Sequence, residues 1–274
     1  MMMRVALITG ASSGIGLATA RLFLSKGVAV VGVGRDPEKL AAAADTCKDT
    51  GAPFSAIALD IMDDDAPKRA VTHAIEVFGR LDHLVNNAGE GSPEPVHSTD
   101  DAMLDRFLNL MLRAPFRFAR EALTVFGDEA TIVNISSTYA LVGGLRGGAY
   151  SAAKAGLHGL TSHMACQYGS AGIRSNIVAP GVIPTPMTYH RLEVEGFRRM
   201  NYDMTPAGRW GTPEDVAQAV WFLSSPESGW INGQVLAVDG GWSSTKFLTE
   251  AALSAERDLK AVEWTHSGMP RQRD

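Results

Sequence analysis

A short apolar run, Val5 to Ile8, breaks into Thr9-Gly10-Ala11-Ser12-Ser13-Gly14-Ile15-Gly16 and passes at once into a helical pattern, Leu17 to Leu24. A strand, a glycine-rich turn and a helix in immediate succession require a sharp backbone bend at the carboxyl end of a strand. Glycines permit positive φ and let backbone amides approach an anion, and the start of the following helix carries a matching partial positive charge. Gly10, Gly14 and Gly16, with Ser12, Ser13 and Ile15 between them, therefore read as a cradle for a dinucleotide pyrophosphate. The spacing is GxxxGxG rather than GxGxxG. Gly10 to Gly14 also satisfies the GxSxG pattern of a hydrolase nucleophile elbow, but only one strand precedes it and no HGGG-type oxyanion loop lies upstream. No Gly-Lys-Ser/Thr follows, as a nucleoside-triphosphate P-loop demands.

Six further β-rich runs follow: Val28 to Val33, Phe54 to Leu59, His83 to Val85, Thr131 to Ile135, Ile173 to Val178 and Val235 to Val238. Most are continuously apolar, which marks strands buried on both faces in a parallel sheet. Helical segments with start signals lie between them. Asp36-Pro37-Glu38 and Thr212-Pro213-Glu214-Asp215 each place a capping side chain before a proline at the first helical position. This alternation predicts a single doubly wound α/β domain of Rossmann type, with a seven-stranded, mostly parallel sheet flanked by helices, over residues 1–242. The chain of 274 residues has room for it.

Composition excludes several classes. Hydrophobic residues at 45% and charged residues at 20% argue against disorder. A net charge of −5 gives no positive field for a nucleic-acid backbone. Cys47 and Cys166 stand far apart, without zinc or disulfide spacing, and no HxH or HExxH pattern occurs, so no metal site is expected. Asp63-Asp64-Asp65 reads as a solvated helix N-terminus. The apolar stretches fall well short of the roughly 18 residues that span a membrane. Met1 to Arg4 runs straight into the first strand without a signal-peptide pattern, so a cytoplasmic protein is expected. Gly is over-represented, 28 residues against about 19 at an average frequency.

Tyr150 and Lys154 occupy one face of a helix, one turn apart. A phenol near pKa 10 beside an ammonium is shifted toward the working range of a general acid or base. Ser137, at the end of the strand Thr131 to Ile135, can donate to a carbonyl oxygen there, with Ser136 the neighbouring candidate.

Taken together, Thr9 to Gly16, Asp60, Asn86-Asn87-Ala88-Gly89, Asn109, Asn134-Ile135-Ser136-Ser137, Tyr150 with Lys154, Pro180-Gly181 with Thr185, and Asp239-Gly240-Gly241 resemble the short-chain dehydrogenase/reductase family in order and spacing over nearly the whole chain. The resemblance implies hydride transfer between a nicotinamide cofactor and a carbonyl or secondary alcohol. Tyr150 would be the general acid/base, Ser137 the donor to the substrate oxygen, and Lys154 would bind the ribose and lower the Tyr150 pKa. Asn109 would hold a relay water. It implies that Asp60 and Ile61 flank the adenine, that the Asn86, Ala88 and Gly89 turn lines the cofactor, and that Pro180, Gly181, Ile183 and Thr185 border its nicotinamide half. The Asn86 to Gly89 turn can equally be structural. The enoyl-reducing branch spaces its Tyr and Lys more widely.

Where NAD-preferring members carry an acidic residue this chain has Gly34, and Arg35 follows, a guanidinium suited to a 2′-phosphate; NADP(H) is favoured, with NAD(H) possible. Residues 186–210, rich in Met and aromatic side chains, would cover an apolar or bulky substrate, and Gly143, Gly144, Gly147 and Gly148 suggest a closely approached wall. Residues 243–274 exceed the family's usual end. Leu248, Ala252, Ala255, Leu259 and Val262 predict an added helix there. A homo-oligomer, tetramer or dimer, is implied. The alternatives are an NAD(H)-dependent alcohol dehydrogenase and a non-catalytic dinucleotide-binding regulator.

Overall fold

Alternate residues of the first strand serve two different cores. Val5 and Leu7 pack with Ala66, Ala70, Phe107, Phe118 and Ala153, whereas Ala6 and Ile8 pack with Ala20, Phe23, Val216 and Val220. Side chains alternate across a strand, so an uninterrupted apolar run buries a helix layer on each face. The computed structural model describes residues 3–91, 94–244, 263–264 and 270–271.

Strands β1 (Val5–Thr9), β2 (Ala29–Gly34), β3 (Phe54–Ala58), β4 (His83–Asn86), β5 (Thr131–Ile135), β6 (Arg174–Pro180) and β7 (Val235–Val238) form one seven-stranded sheet in the order β3-β2-β1-β4-β5-β6-β7. Every pairing in it is parallel, so the sheet is wholly rather than mostly so. Helices α1 (Gly14–Ser25), α2 (Pro37–Cys47), α3 (Ala66–Phe78), α4 (Asp101–Leu108), α5 (Ala114–Ala122), α6 (Gly148–Tyr168), α7 (Tyr189–Leu192), α8 (Glu195–Asn201) and α9 (Pro213–Ser224) connect the strands. α1 and α9 pack together over one face, and α3 to α6 cover the other.

Both predicted helix starts are built as the sequence indicates. Asp36 accepts from the amides of Glu38 and Lys39. Thr212 and Asp215 form a reciprocal capping box. The Asp63 to Asp65 run precedes α3, and Asp64 pairs with Arg117 at 3.1 Å.

The chain divides into two compact units, Met1–Ser243 and Ser244–Asp274. The helical pattern from Leu248 to Val262 lies outside the described residues. In the second unit Glu263–Trp264 pairs antiparallel with Pro270–Arg271.

The strand order reverses between β1 and β4, and in such sheets that switch point opens a crevice beyond the strands' carboxyl ends. At the other end of the sheet, His83 is buried with Nδ1 2.8 Å from Thr131 Oγ1. Burial pushes its pKa from 6.5 down to about 4, against the pull of Asp82. Between those values the unfolded chain binds a proton that the native protein excludes, so stability falls as pH drops through that window. Urea unfolding at pH 7.5 and 4.5 should show His83→Gln losing about 2–3 kcal/mol less stability than the native sequence over that interval. An equal loss in both proteins contradicts the assignment.

Candidate active site

The turn after β1 adopts conformations that favour glycine. Gly10 lies at φ 70° and Gly14 at φ 52°. A Cβ on Gly10 would come within 2.9 Å of Asn87 Nδ2 and 3.0 Å of Ala88 Cα, and one on Gly14 within 3.1 Å of Thr185 Cγ2. α1 begins at Gly14 after an extended Ser13 whose side chain makes no capping bond, and its first turn has no acidic residue. The positive end of this helix therefore meets a cavity of about 340 Å³ lined by Gly10, Ser12, Ser13, Gly14 and Ile15. A helix N-terminus with no competing carboxylate, and no Cβ at Gly10 and Gly14, make this a fit for a pyrophosphate. Gly16 does not line the cavity; it packs one turn into α1 against the Gly10 carbonyl.

Gly34, Arg35, Asp60 and Ile61 line one end of the same cavity. Arg35 is exposed, and Asp60 Oδ1 accepts from the Met62 amide at 3.0 Å. Asp36 is committed to α2 and pairs with Lys39 at 3.3 Å.

At the other end stand Ser137, Tyr150 and Lys154. Tyr150 is held edge-on by Phe107 and Tyr139, with ring centroids at 6.4 and 6.5 Å. Burial pushes its phenol pKa up, and the nearby Ser137 hydroxyl pulls the other way. Ser137 Oγ also accepts from the Tyr139 amide at 3.2 Å. Ser136 lies on the same cavity, but its hydroxyl is engaged by the Lys154 carbonyl at 3.1 Å and His158 Nε2 at 3.0 Å. Of the two serines, the one that acts on the Tyr150 phenol is thus Ser137.

Lys154 is buried, donates Nζ to the Ile135 carbonyl at 2.7 Å, and lies 6.0 Å from the Tyr150 ring centroid. Desolvation pushes its pKa down to about 8. Burial is the largest influence on both groups. Asn109 is not on the cavity lining. It opens a π-helical turn, Asn109–Arg113, and its Oδ1 accepts from Arg113 Nη1 at 3.5 Å.

Of the Asn86 to Gly89 turn, Asn87, Ala88 and Gly89 line the cavity and Asn86 does not. Asn86 is the last residue of β4, and its Nδ2 donates to Asn134 Oδ1 at 2.8 Å inside the sheet. Asn87 turns the other way and donates Nδ2 to the Thr9 carbonyl at 2.9 Å and the Gly10 carbonyl at 3.3 Å. Side-chain alternation along a strand was the signal that separates these neighbours.

Pro180, Gly181, Ile183 and Thr185 line the cavity, followed by Pro186, Met187 and Thr188 from the expected substrate segment. Glu90, Leu110 and Met111 complete the wall without having been indicated by a motif. The glycines before Tyr150 stand elsewhere. Gly144 abuts the Tyr139 ring and Gly148 abuts Val96, so they approach the site through Tyr139 rather than directly.

A family model described as enoyl-(acyl carrier protein) reductase matches residues 10–243. The chain is 38% identical to cis-4-hydroxycyclohexanecarboxylate dehydrogenase of Sinomonas cyclohexanicum, over 88% of this chain and 97% of that protein. It is 32% identical to 3beta-hydroxysteroid dehydrogenase 2 of Eggerthella lenta, over 88% and 95%. The crystal structure of levodione reductase superposes with a TM-score of 0.83 at 33% identity, over 90% of this chain and all of that one, 100%. With its parallel sheet, glycine cradle and Ser137, Tyr150 and Lys154 on one cavity, the chain belongs to the short-chain dehydrogenase/reductase family, oxidoreductases of the alcohol and carbonyl couple that use a nicotinamide cofactor.

Proposed function

We propose that the protein is an NADP(H)-dependent oxidoreductase that interconverts a carbonyl compound and a secondary alcohol, with Tyr150 as general acid and base. The observation that carries this reading is that the Ser137 hydroxyl, the half-buried Tyr150 and, one helical turn on, Lys154 stand together on the cavity that begins at the glycine cradle. Tyr150 and Lys154 keep the spacing of the carbonyl-reducing members, in preference to enoyl reduction.

The nicotinamide supplies the hydride in reduction and takes it up in oxidation. Ser137 donates its hydroxyl hydrogen to the substrate oxygen and holds that oxygen against Tyr150. Tyr150 gives its proton to the oxygen in reduction and accepts it in oxidation. Burial keeps the phenol protonated, as an acid must be, and a nearby cation supports the phenolate that the reverse direction requires. Lys154 spends one of its three donors on the Ile135 carbonyl and has two left for ribose hydroxyls. Asn109 would position a water behind Lys154, and its place at a π-helical turn accords with the frequency of such turns at functional sites.

The cofactor preference rests on the end of β2. Gly34 offers no carboxylate to a ribose hydroxyl, Arg35 is exposed on the cavity, and the nearest acid, Asp36, is spent on the α2 cap. A planar guanidinium there suits a 2′-phosphate. Gly10, Ser12, Ser13, Gly14 and Ile15 would take the pyrophosphate, Asp60 and Ile61 the adenine, and Thr185 the phosphate or carboxamide.

Leu110, Met111, Ile135 and Met187 give the substrate end an apolar wall suited to a bulky, ring-bearing compound, the kind named in the hydroxycyclohexane and hydroxysteroid relatives. We place the protein in the cytoplasm as a homo-oligomer, a dimer or tetramer. Exposed Trp230, Val235 and Leu236 at and before the edge strand β7 support an assembly surface.

Tyr150→Phe should cut kcat/KM on a reduced ring ketone by about 10²- to 10⁴-fold while NADPH binding stays at its native strength. Turnover at the native level in that variant excludes the assignment. Tight NADPH binding with no turnover across a ketone and alcohol panel favours a nucleotide-responsive binding protein. In titrations the native protein should bind NADPH about tenfold or more tightly than NADH, and Arg35→Ala should shrink that ratio. An NADH preference in the native protein overturns the cofactor reading.

A further inference from the structure

Arg191, in α7, is a half-buried guanidinium without a carboxylate partner among the described residues. Its Nη2 donates to the Gly91 carbonyl at 3.0 Å and its Nε to His190 Nε2 at 3.3 Å. A guanidinium has five N–H donors, so three remain. Glu193, two residues on, is exposed and makes no ion pair with it, and two further acids of the adjoining segments are engaged elsewhere. Glu90 is gripped by Arg106 at 2.5 and 2.7 Å, and Glu195 pairs with Arg198 at 3.3 Å. Withdrawing a cation from water without a counter-ion is costly, and the cost is offset when an anion binds.

The position is that of the substrate rim. A Cβ on Gly91 would meet Arg191 Nη2 at 3.3 Å and Met187 Cγ at 3.4 Å, so Arg191 stands beside Met187, which lines the cavity. The Arg191 backbone amide is bonded to the carbonyl of Thr188, another lining residue, at 2.9 Å. The charge of Arg191 also reaches the Tyr139 and Tyr150 phenols, where it opposes the upward push of burial.

We propose that Arg191 captures a carboxylate on the substrate, so that the site selects oxo and hydroxy acids over neutral ketones and alcohols. The inference rests on the redox reading above and names the substrate class of that site. With the reacting oxygen at Ser137 and Tyr150, the apolar body of the substrate lies along Met187 and its carboxylate meets the free Nη1 edge of Arg191. Such a pair is charge-assisted and can be bidentate, which a neutral ester or amide cannot reproduce.

The test uses the NADPH-loaded full chain and two matched pairs of probes. Calorimetry compares cyclohexanecarboxylate with cyclohexanecarboxamide, and steady-state kinetics compares 4-oxocyclohexanecarboxylate with its methyl ester. The native protein should favour the acid of each pair by about tenfold or more, in Kd and in kcat/KM. Arg191→Met should abolish both preferences, chiefly through KM for the acid, with the loss on the acid exceeding any change on the ester by about tenfold. Arg191→Lys should keep part of each preference, and added salt should shrink it. Equal handling of acid and neutral partner by the native protein overturns the proposal even if both ketones are reduced. So does an equal loss on acid and ester in Arg191→Met, which would make Arg191 a support of the rim alone. If neither ketone is reduced but calorimetry still shows the acid preference and its loss in Arg191→Met, the redox reading fails and the carboxylate site stands.

Discussion

Thr9 and Asn87 tie together the carboxyl ends of β1 and β4, the two strands between which the sheet reverses. Thr9 Oγ1 accepts from the amides of Asn87 and Ala88 at 3.0 and 3.1 Å, and Asn87 Nδ2 returns bonds to the carbonyls of Thr9 and Gly10. These strands diverge into separate loops, and nothing in the sheet ladder beyond Thr9 would fix their spacing. The clamp does so through polar groups that the turn would otherwise leave unsatisfied. It also explains the lack of side-chain volume at Gly10, which the Asn87 amide and the Ala88 backbone approach closely. The pyrophosphate cradle and the wall facing the nicotinamide end are thereby one construction.

Burial governs the titrating groups inside the fold, His83, Tyr150 and Lys154, with opposite consequences by charge type. Lys154 and His83 are pushed toward neutrality as bases, and Tyr150 toward neutrality as an acid. At His83 the result is a stability term that fails in acid. At Tyr150 and Lys154 it sets two groups that each resist charge one helical turn apart, so the ionisation of either depends on what else is charged in the cavity. Ser137 and Arg191 favour the phenolate, the one from close by and the other at longer range.

The architecture was legible because its signals are local and repeated. Seven apolar runs became seven strands with ends moved by a residue or two, as where the apolar run from Ile173 yields a strand from Arg174 to Pro180. Helical spacing put Tyr150 and Lys154 on one face, and the glycine turn with the family resemblance made them a site. What escaped the sequence depends on contacts between distant segments. Asn86 and Asn87 are identical side chains in adjacent positions, and only the pairing of Asn86 with Asn134 shows which one turns inward. Ser136 and Ser137 differ in the same way, since the Lys154 carbonyl and His158 that occupy Ser136 come from α6. Glu90, Leu110 and Met111 carry no motif because an apolar or paired wall residue is constrained by shape, which many sequences can satisfy. Of the glycines at 143–148, Gly144 approaches the Tyr139 ring and Gly148 approaches Val96, Gly143 meets open space, and none lines the cavity.

One loop joins the cofactor end of the cavity to the substrate rim. Thr185 Cγ2 sits where a Cβ on Gly14 would press at 3.1 Å, so the loop after β6 closes directly over the first turn of α1. From there Thr188 acts as a staple. Its hydroxyl donates to the Ile183 carbonyl at 2.6 Å and accepts from the Thr185 amide at 3.0 Å, and its carbonyl accepts from the Arg191 amide. Arg191 then crosses to the Gly91 carbonyl, in the loop that leaves the Asn87 clamp. The path is therefore held by close packing where Thr185 meets the cradle and by hydrogen bonds from Thr188 through Arg191 to Gly91. A path of this kind fixes the distance between the phosphate seat and the substrate wall without a rigid element spanning the gap. That is how α7, a helix of only 4 residues, can hold a side chain in place over the site.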